Sequence, residues 1–229
     1  MPGRQANLVR GRAVATILSL VLRLALALFA AQAGFHAYTA SLPLALSAGG
    51  VPDPTIGLIV GSAALVQLPA AFIGGSLLDR FGGVRLFHVG TLAYVLASLI
   101  LLLPGVEPGG SSLPFVAVRI LQGIGIAMCL PAALSLVPRL VPIARRGIGL
   151  AITGTAQNLT LLALPPLSLA VLRAASLDGV AVLAIGFVAV GVVLIQRLPF
   201  GDKNSYATPA VSGGKMFVRT FSQLISIGK

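Results

Sequence analysis

Long apolar runs alternate with short links of glycine, proline and charge through most of the chain. The runs cover residues 21–46, 56–78, 86–103, 114–137, 148–172 and 177–197. A helix crosses the hydrocarbon core of a bilayer in roughly 20 residues, rising about 1.5 Å per residue, and each run is of that order. The ten-residue alternation that marks a membrane barrel is missing, and a helix satisfies every backbone polar group within itself. The pattern predicts an all-α membrane protein: an N-terminal segment over 1–20, a six-helix transmembrane bundle over 21–197, and a tail over 198–229. The links are short, as in Ala48-Gly49-Gly50-Val51-Pro52-Asp53-Pro54, the stretch 104–110 and the arginine-bearing 138–147, so neighbouring spans run antiparallel.

Composition agrees. With 57% apolar and 9% charged residues, the chain carries more apolar surface than a soluble domain of 229 residues can bury. The net charge of +11 would suggest nucleic acid in a soluble protein, but its placement follows the spans. With the N-terminus inside, fourteen of the sixteen basic residues fall at inner segments, Arg173 alone lies in an outer link, and Arg119 lies within the fourth span. The outer links hold Asp53, Glu107 and Asp178. This asymmetry places both termini in the cytoplasm and makes the partner a lipid bilayer, the cell membrane, rather than nucleic acid. Arg4 to Arg12, an apolar run and Ala31-Gln32-Ala33 imitate a signal peptide, yet apolar character resumes and continues to Leu46, which favours a retained span.

The tail differs from the rest. All three lysines (Lys203, Lys215, Lys229) fall there, whereas the preceding 202 residues use arginine alone. Residues 215–229 can be drawn as a basic amphipathic helix on the inner membrane surface, with Phe217, Phe221, Leu224 and Gly228 opposite Lys215, Arg219, Ser222 and Ser226. Within the spans, Gly57/Gly61 and Gly123/Ala127 have the spacing that permits close helix approach. Cys129 has no disulfide partner and reads as small core filler.

Charge concentrates in Gly74-Gly75-Ser76-Leu77-Leu78-Asp79-Arg80-Phe81-Gly82-Gly83-Val84-Arg85-Leu86, at the link between the second and third spans. Gly75 allows close packing of a helix end, Gly82 a tight reversal, and Asp79 can accept from a helix N-terminus or an arginine. The string resembles the major facilitator superfamily, whose corresponding loop reads G-x-L-a-D-r-x-G-r-k-x-x-l; it departs at Gly83 and Val84, where basic residues are usual. Arg119-Ile120-Leu121-Gln122-Gly123-Ile124-Gly125 is similar to the family's fourth-span R-x-x-Q-G-x-G pattern. The resemblance implies secondary active transport of a small solute, with proton coupling within the family's range. It implies a half-transporter fold of six helices as two three-helix inverted repeats, and a conformational latch built from Gly75, Asp79, Arg80, Gly82 and Arg85. The family normally has twelve spans with substrate bound between two halves, so a second six-helix half or a homodimer partner is expected. The rival reading is a truncated or non-transporting membrane protein that modulates a partner, and the abrupt lysine-bearing tail favours an interruption.

Polar residues inside the spans are the candidate substrate or proton site. Arg119 costs roughly 2.5–3.5 kcal/mol at the bilayer centre on the insertion scale. In family relatives this arginine is associated with proton coupling; the alternative is a side chain that snorkels to the outer surface. Gln122 shares its face at i+3. His36 lies on a stripe with Gln32 and Thr39; the alternative is a neutral histidine bonded to a neighbouring helix. Thr153, Gln157 and Thr160, with Asn158 beside them, form a second polar face. In the fifth span Leu164-Pro165-Pro166-Leu167-Ser168 lacks the glycines of the drug–proton antiporter pattern, though both prolines should bend the helix.

No residue pattern points to an enzyme. A Gly-x-Ser-Gly protease element, Asn-Pro-Ala repeats and a P-loop are all missing from the sequence. Two separated histidines and one cysteine make no metal cluster, and no cofactor is implied. The sequon Asn158-Leu159-Thr160 lies inside a span, out of reach of glycosylation.

Overall fold

The computed structural model describes residues 2–199, 210–212, 215–219 and 224–227, with side chains over residues 15–199. Two compact units result, Met1–Leu198 and Pro199–Lys229.

The first unit is helical throughout. Its elements are α1 (Pro2–His36), α2 (Tyr38–Ala48), α3 (Asp53–Phe81), α4 (Gly83–Leu101), α5 (Leu113–Leu140), a 3-10 turn (Ile143–Arg145) and α6 (Arg146–Gln196). Five helical stretches are long and apolar enough to cross a membrane: Ala15–Ala48, Asp53–Phe81, Gly83–Leu101, Leu113–Leu140 and Ile143–Gln196. The helix boundaries follow local chemistry. Pro52 and Pro54 pre-set the first turn of α3, where Asp53 complements the positive end of the helix dipole. Residues 2–20, expected as a segment preceding the first span, continue it instead as part of α1. At Ala37 α1 gives way to α2, one and a half turns before Pro43 removes a backbone donor. The fifth and sixth apolar runs both fall within α6, which leaves helical dihedrals at Ala175 (φ −144°, ψ 23°) and Ser176 (φ 58°, ψ −168°).

Small residues set the helix seams. Along the α4–α5 seam, a side chain on Gly90 would meet the Cys129 Sγ at 2.5 Å, and one on Gly83 would meet the Ser135 Oγ at 2.6 Å. Cys129 is fully buried there and donates to the Phe87 carbonyl at 3.6 Å. Between α3 and α5, Gly123 lies against the Ala63 carbonyl, and a side chain on Gly74 would come 3.3 Å from the Ala127 carbonyl. Of the two small-residue pairs in the sequence, Gly123/Ala127 therefore packs a seam and Gly57/Gly61 does not. Both Gly57 and Gly61 are exposed with nothing within 4 Å of a built Cβ. They share the outer surface of α3 with Leu58, Leu65, Leu68 and Phe72, all exposed. Between α1 and α6, a side chain on Gly191 would meet the Ala27 carbonyl at 2.9 Å.

The second unit holds three short antiparallel strands, β1 (Ala210–Ser212), β2 (Lys215–Arg219) and β3 (Leu224–Ile227), ordered β1-β2-β3. Met216 pairs with Ile227 and Val218 with Ile225. The amphipathic helix drawn over 215–229 gives way to β2 and β3. Val218, Ile225 and Ile227 are β-branched, and with Phe217 they favour a pleated strand over a helix.

Candidate functional site

The polar residues of α1 and α5 meet inside the bundle. On α5, Arg119 and Gln122 stand one turn apart on one face, and the Arg119 Nη1 donates to the Gln122 Oε1 at 2.8 Å. The Gln122 Nε2 reaches across to α1 and donates to the Gly34 carbonyl at 3.4 Å. Gly34 is where the chain must be bare, since a Cβ would lie 2.7 Å from the Tyr94 side chain and 2.9 Å from Val188. The Arg119 Nη2 donates to the Val60 carbonyl on α3 at 3.3 Å. The face of the guanidinium is covered by Phe35, whose ring centre lies 5.0 Å from Cζ. Phe35 in turn meets the His36 ring edge to face at 5.2 Å and 85°.

A second set of bonds ties the same region to α4. The Tyr94 hydroxyl donates to the Gln32 Oε1 at 2.7 Å, and the Tyr38 hydroxyl donates to the Ser98 Oγ at 2.9 Å. Gln32, Gln122, His36 and Arg119 are all buried, Arg119 to 4% exposure. A side chain snorkelling to the surface would be exposed, whereas Arg119 is buried. Several buried polar atoms in this cluster have no partner: the Gln32 Nε2, both ring nitrogens of His36, and the Arg119 Nε. The charge of Arg119 thus rests on an amide oxygen, a carbonyl and an aromatic face, all neutral.

Other sequence candidates lie apart from the cluster. Thr39 is exposed, although Ala37 before it keeps helical dihedrals (φ −59°, ψ −27°). On α6 the buried Thr153 donates to the Gly149 carbonyl at 2.9 Å and the buried Thr160 to the Gln157 carbonyl, so both hydroxyls are satisfied within their own helix. Gln157 is half-buried and Asn158 exposed. Phe35, Tyr94 and Val60 carry no signal in the sequence as site residues. Tyr94 could have been suspected as a tyrosine in mid-span, which needs a partner for its hydroxyl when buried.

The charged loop is shorter than its motif suggests. One residue, Gly82, joins α3 to α4, at φ 81° and ψ 163°, a combination open essentially to glycine alone. Gly75 is exposed with open space beyond it, and the close approach of α3 to α5 falls at Gly74 instead. Gly83 is buried against Ser135, Ala132 and Leu136 of α5, which leaves no room for the basic side chain usual at this position of the motif. Asp79, Arg80 and Arg85 are exposed around the joint, and Arg80 lies over the Phe81 ring at 5.2 Å.

Apolar helices packed through glycine seams, with a cation and its amide partners buried between them, define a multi-pass helical membrane protein. Residues 24–225 match the Major Facilitator Superfamily, and the chain belongs to that family. It is also similar to an uncharacterised MFS-type transporter of Mycobacterium tuberculosis, 32% identical over 126 residues that cover 50% of this chain and 21% of the relative. The chain therefore matches about a fifth of that relative's length.

Proposed function

We propose that this chain forms a six-helix half of a secondary active transporter for a small solute, built as two three-helix inverted repeats. Arg119, Gln122, Gln32 and His36 form its solute or proton site. The carrying observation is the burial of Arg119 among neutral partners within the spans, since an intramembrane charge is expensive and tends to mark a substrate or ion path.

Six crossings are supported by the length and packing of α6. A straight helix of 51 residues would extend about 77 Å, against a hydrocarbon core of about 30 Å. The dihedral break at Ala175 and Ser176 divides it into two arms. Leu164 of the first arm shares a core cluster with Ala181 and Ala184 of the second, as expected of a hairpin. An even number of crossings returns the bundle to the side on which it began; the arginine distribution supports the cytoplasm as that side, in the plasma membrane of this reading.

The joint at Gly82, with Asp79, Arg80 and Arg85 around it, is the conformational latch. The outward apolar face of α3 and the exposed Asn158 of α6 are surfaces for a second six-helix bundle, supplied by another polypeptide segment or a second copy. The test is counterflow into liposomes holding the chain with and without such a bundle, across labelled acids, amines and sugars. Arg119→Leu and His36→Phe should each insert yet lose uptake. Normal uptake by both variants counts against the site, and no uptake in any assembly favours the non-transporting alternative.

A further inference from the structure

Every buried side-chain nitrogen or oxygen left without a partner between residues 15 and 199 belongs to the Arg119 cluster, apart from the Arg146 Nε. The kind of group left unmet is informative. The Gln32 Oε1 is taken by Tyr94, so its free atom is the donor Nε2. The Arg119 Nε can only donate. A neutral His36 offers one more N–H and a single acceptor. The cluster therefore presents an excess of donors around a cation, and what it lacks is an acceptor carrying negative charge.

Among the described residues none supplies such an acceptor. Asp53, Asp79, Glu107 and Asp178 are all exposed, at helix ends or in links, and Asp202 lies outside the described residues. Water could satisfy the hydrogen bonds but would leave the charge, and a buried unpaired charge is the costly state. The guanidinium also has a defined free edge. Nη1 is committed to Gln122, Nη2 makes one long bond to the Val60 carbonyl, and Nε is open, which leaves the Nε–Nη2 edge as a planar pair of donors. That edge matches a carboxylate, which accepts two parallel N–H bonds. One carboxylate neutralises the site, whereas a dianion would replace an excess of +1 by −1.

We propose that the Arg119 edge docks the carboxylate of an organic-acid substrate, beside the guanidinium face that Phe35 covers. This rests on the reading of the cluster as the transport site. Arg119 is closed to solvent in this structure, and the Phe35 ring lies over the guanidinium while itself half-buried.

The chain contains no tryptophan, so Phe35→Trp places a single fluorophore over Arg119. Sodium benzoate is the probe and benzamide, its neutral isostere, the control, both added to the purified full chain at constant ionic strength. Benzoate should change the tryptophan emission saturably and benzamide should not. Adding Arg119→Gln should raise the half-saturating benzoate concentration about tenfold or more. Thermal unfolding, followed by labelling of the sole cysteine, Cys129, should show the same benzoate dependence in the unmodified chain. An equal response to benzamide, no response to benzoate, or a response that Arg119→Gln leaves unchanged overturns the proposal. If a second bundle abolishes benzoate binding, the carboxylate comes from that bundle and the substrate assignment falls. Benzoate binding without counterflow in any assembly defeats the transport reading alone. Arg119-dependent uptake of neutral or cationic solutes, with benzoate silent, defeats the carboxylate alone.

Discussion

The glycine at the joint between α3 and α4 offers a test in which two positions of one motif should behave oppositely. Gly82 carries the whole turn at φ 81° and ψ 163°, a region that costs a residue with a Cβ on the order of 1–3 kcal/mol. The strain of Gly82→Ala cannot be relieved locally, because the next residue, Gly83, is wedged against Ser135 and Ala132 of α5. It is relieved if the start of α4 lifts from α5, and Cys129 sits buried in that seam beside Gly90. Labelling of the single thiol by a maleimide under native conditions then reads the opening. A penalty of 1–3 kcal/mol raises the open population, and hence the labelling rate, roughly 5- to 150-fold. Gly75→Ala is the control. Gly75 lies inside α3 with nothing within 4 Å of a built Cβ, so alanine should slow labelling or leave it unchanged, since it gains roughly 0.5–1 kcal/mol over glycine in a helix. Wild-type labelling in Gly82→Ala, or equal acceleration by both substitutions, refutes the assignment of the turn to Gly82.

Reporter fusions at Asp53 and Arg145 should appear on opposite faces of the membrane, and a further fusion at Ser176 should share the face of Asp53; a shared face for Ser176 and Arg145 would remove the hairpin in α6. Tyr94→Phe, which leaves the buried Gln32 Oε1 unpaired, should destabilise the bundle by about 1–3 kcal/mol, and adding Gln32→Leu should recover part of that loss in thermal unfolding. Loss that merely adds in the double variant would show that the hydrogen bond carries none of it. Asp79→Asn, in a transport-competent assembly, should shift the inward/outward balance with substrate affinity in the preferred state intact; unchanged accessibility at cysteines placed in the links 49–52 and 102–112 would speak against a latch.

The helices were the legible part of this chain, and the reason is thermodynamic. A run of about 20 apolar residues needs no partner to be recognised, because lipid itself is its environment. Where the environment changes, legibility falls. The N-terminal residues 2–20 read as a separate segment because arginines punctuate them, yet arginine is a good helix former and α1 runs straight through. In the tail, the fifteen residues drawn as an amphipathic helix also carry β-branched side chains, and the chain forms strands in two of their stretches. The boundary between residues 172 and 177 was marked in the sequence by Arg173 and Asp178, and non-helical dihedrals fall at Ala175 and Ser176.

Within the candidate site, what could be read was what lies on one helix. The spacing puts Gln122 on one face with Arg119 and His36 on one face with Gln32; the structure joins the first pair by a hydrogen bond and buries the second. Thr39 continues the same spacing but is exposed. Thr153 and Thr160 share a polar face by spacing, and in the structure each hydroxyl returns a bond to its own helix backbone about a turn away. The groups that give the cluster its chemistry come from elsewhere: a carbonyl on α3, a hydroxyl on α4, and the aromatic face of Phe35 beside His36. No periodicity within α5 can foretell them, since each depends on how closely its helix crosses, and that distance is set by bare positions such as Gly34 and Gly123. The sequence could therefore announce a charge in the membrane, but only the packing could show that its partners are all neutral. It is that neutrality which turns an interfacial arginine into one that still lacks a counter-ion.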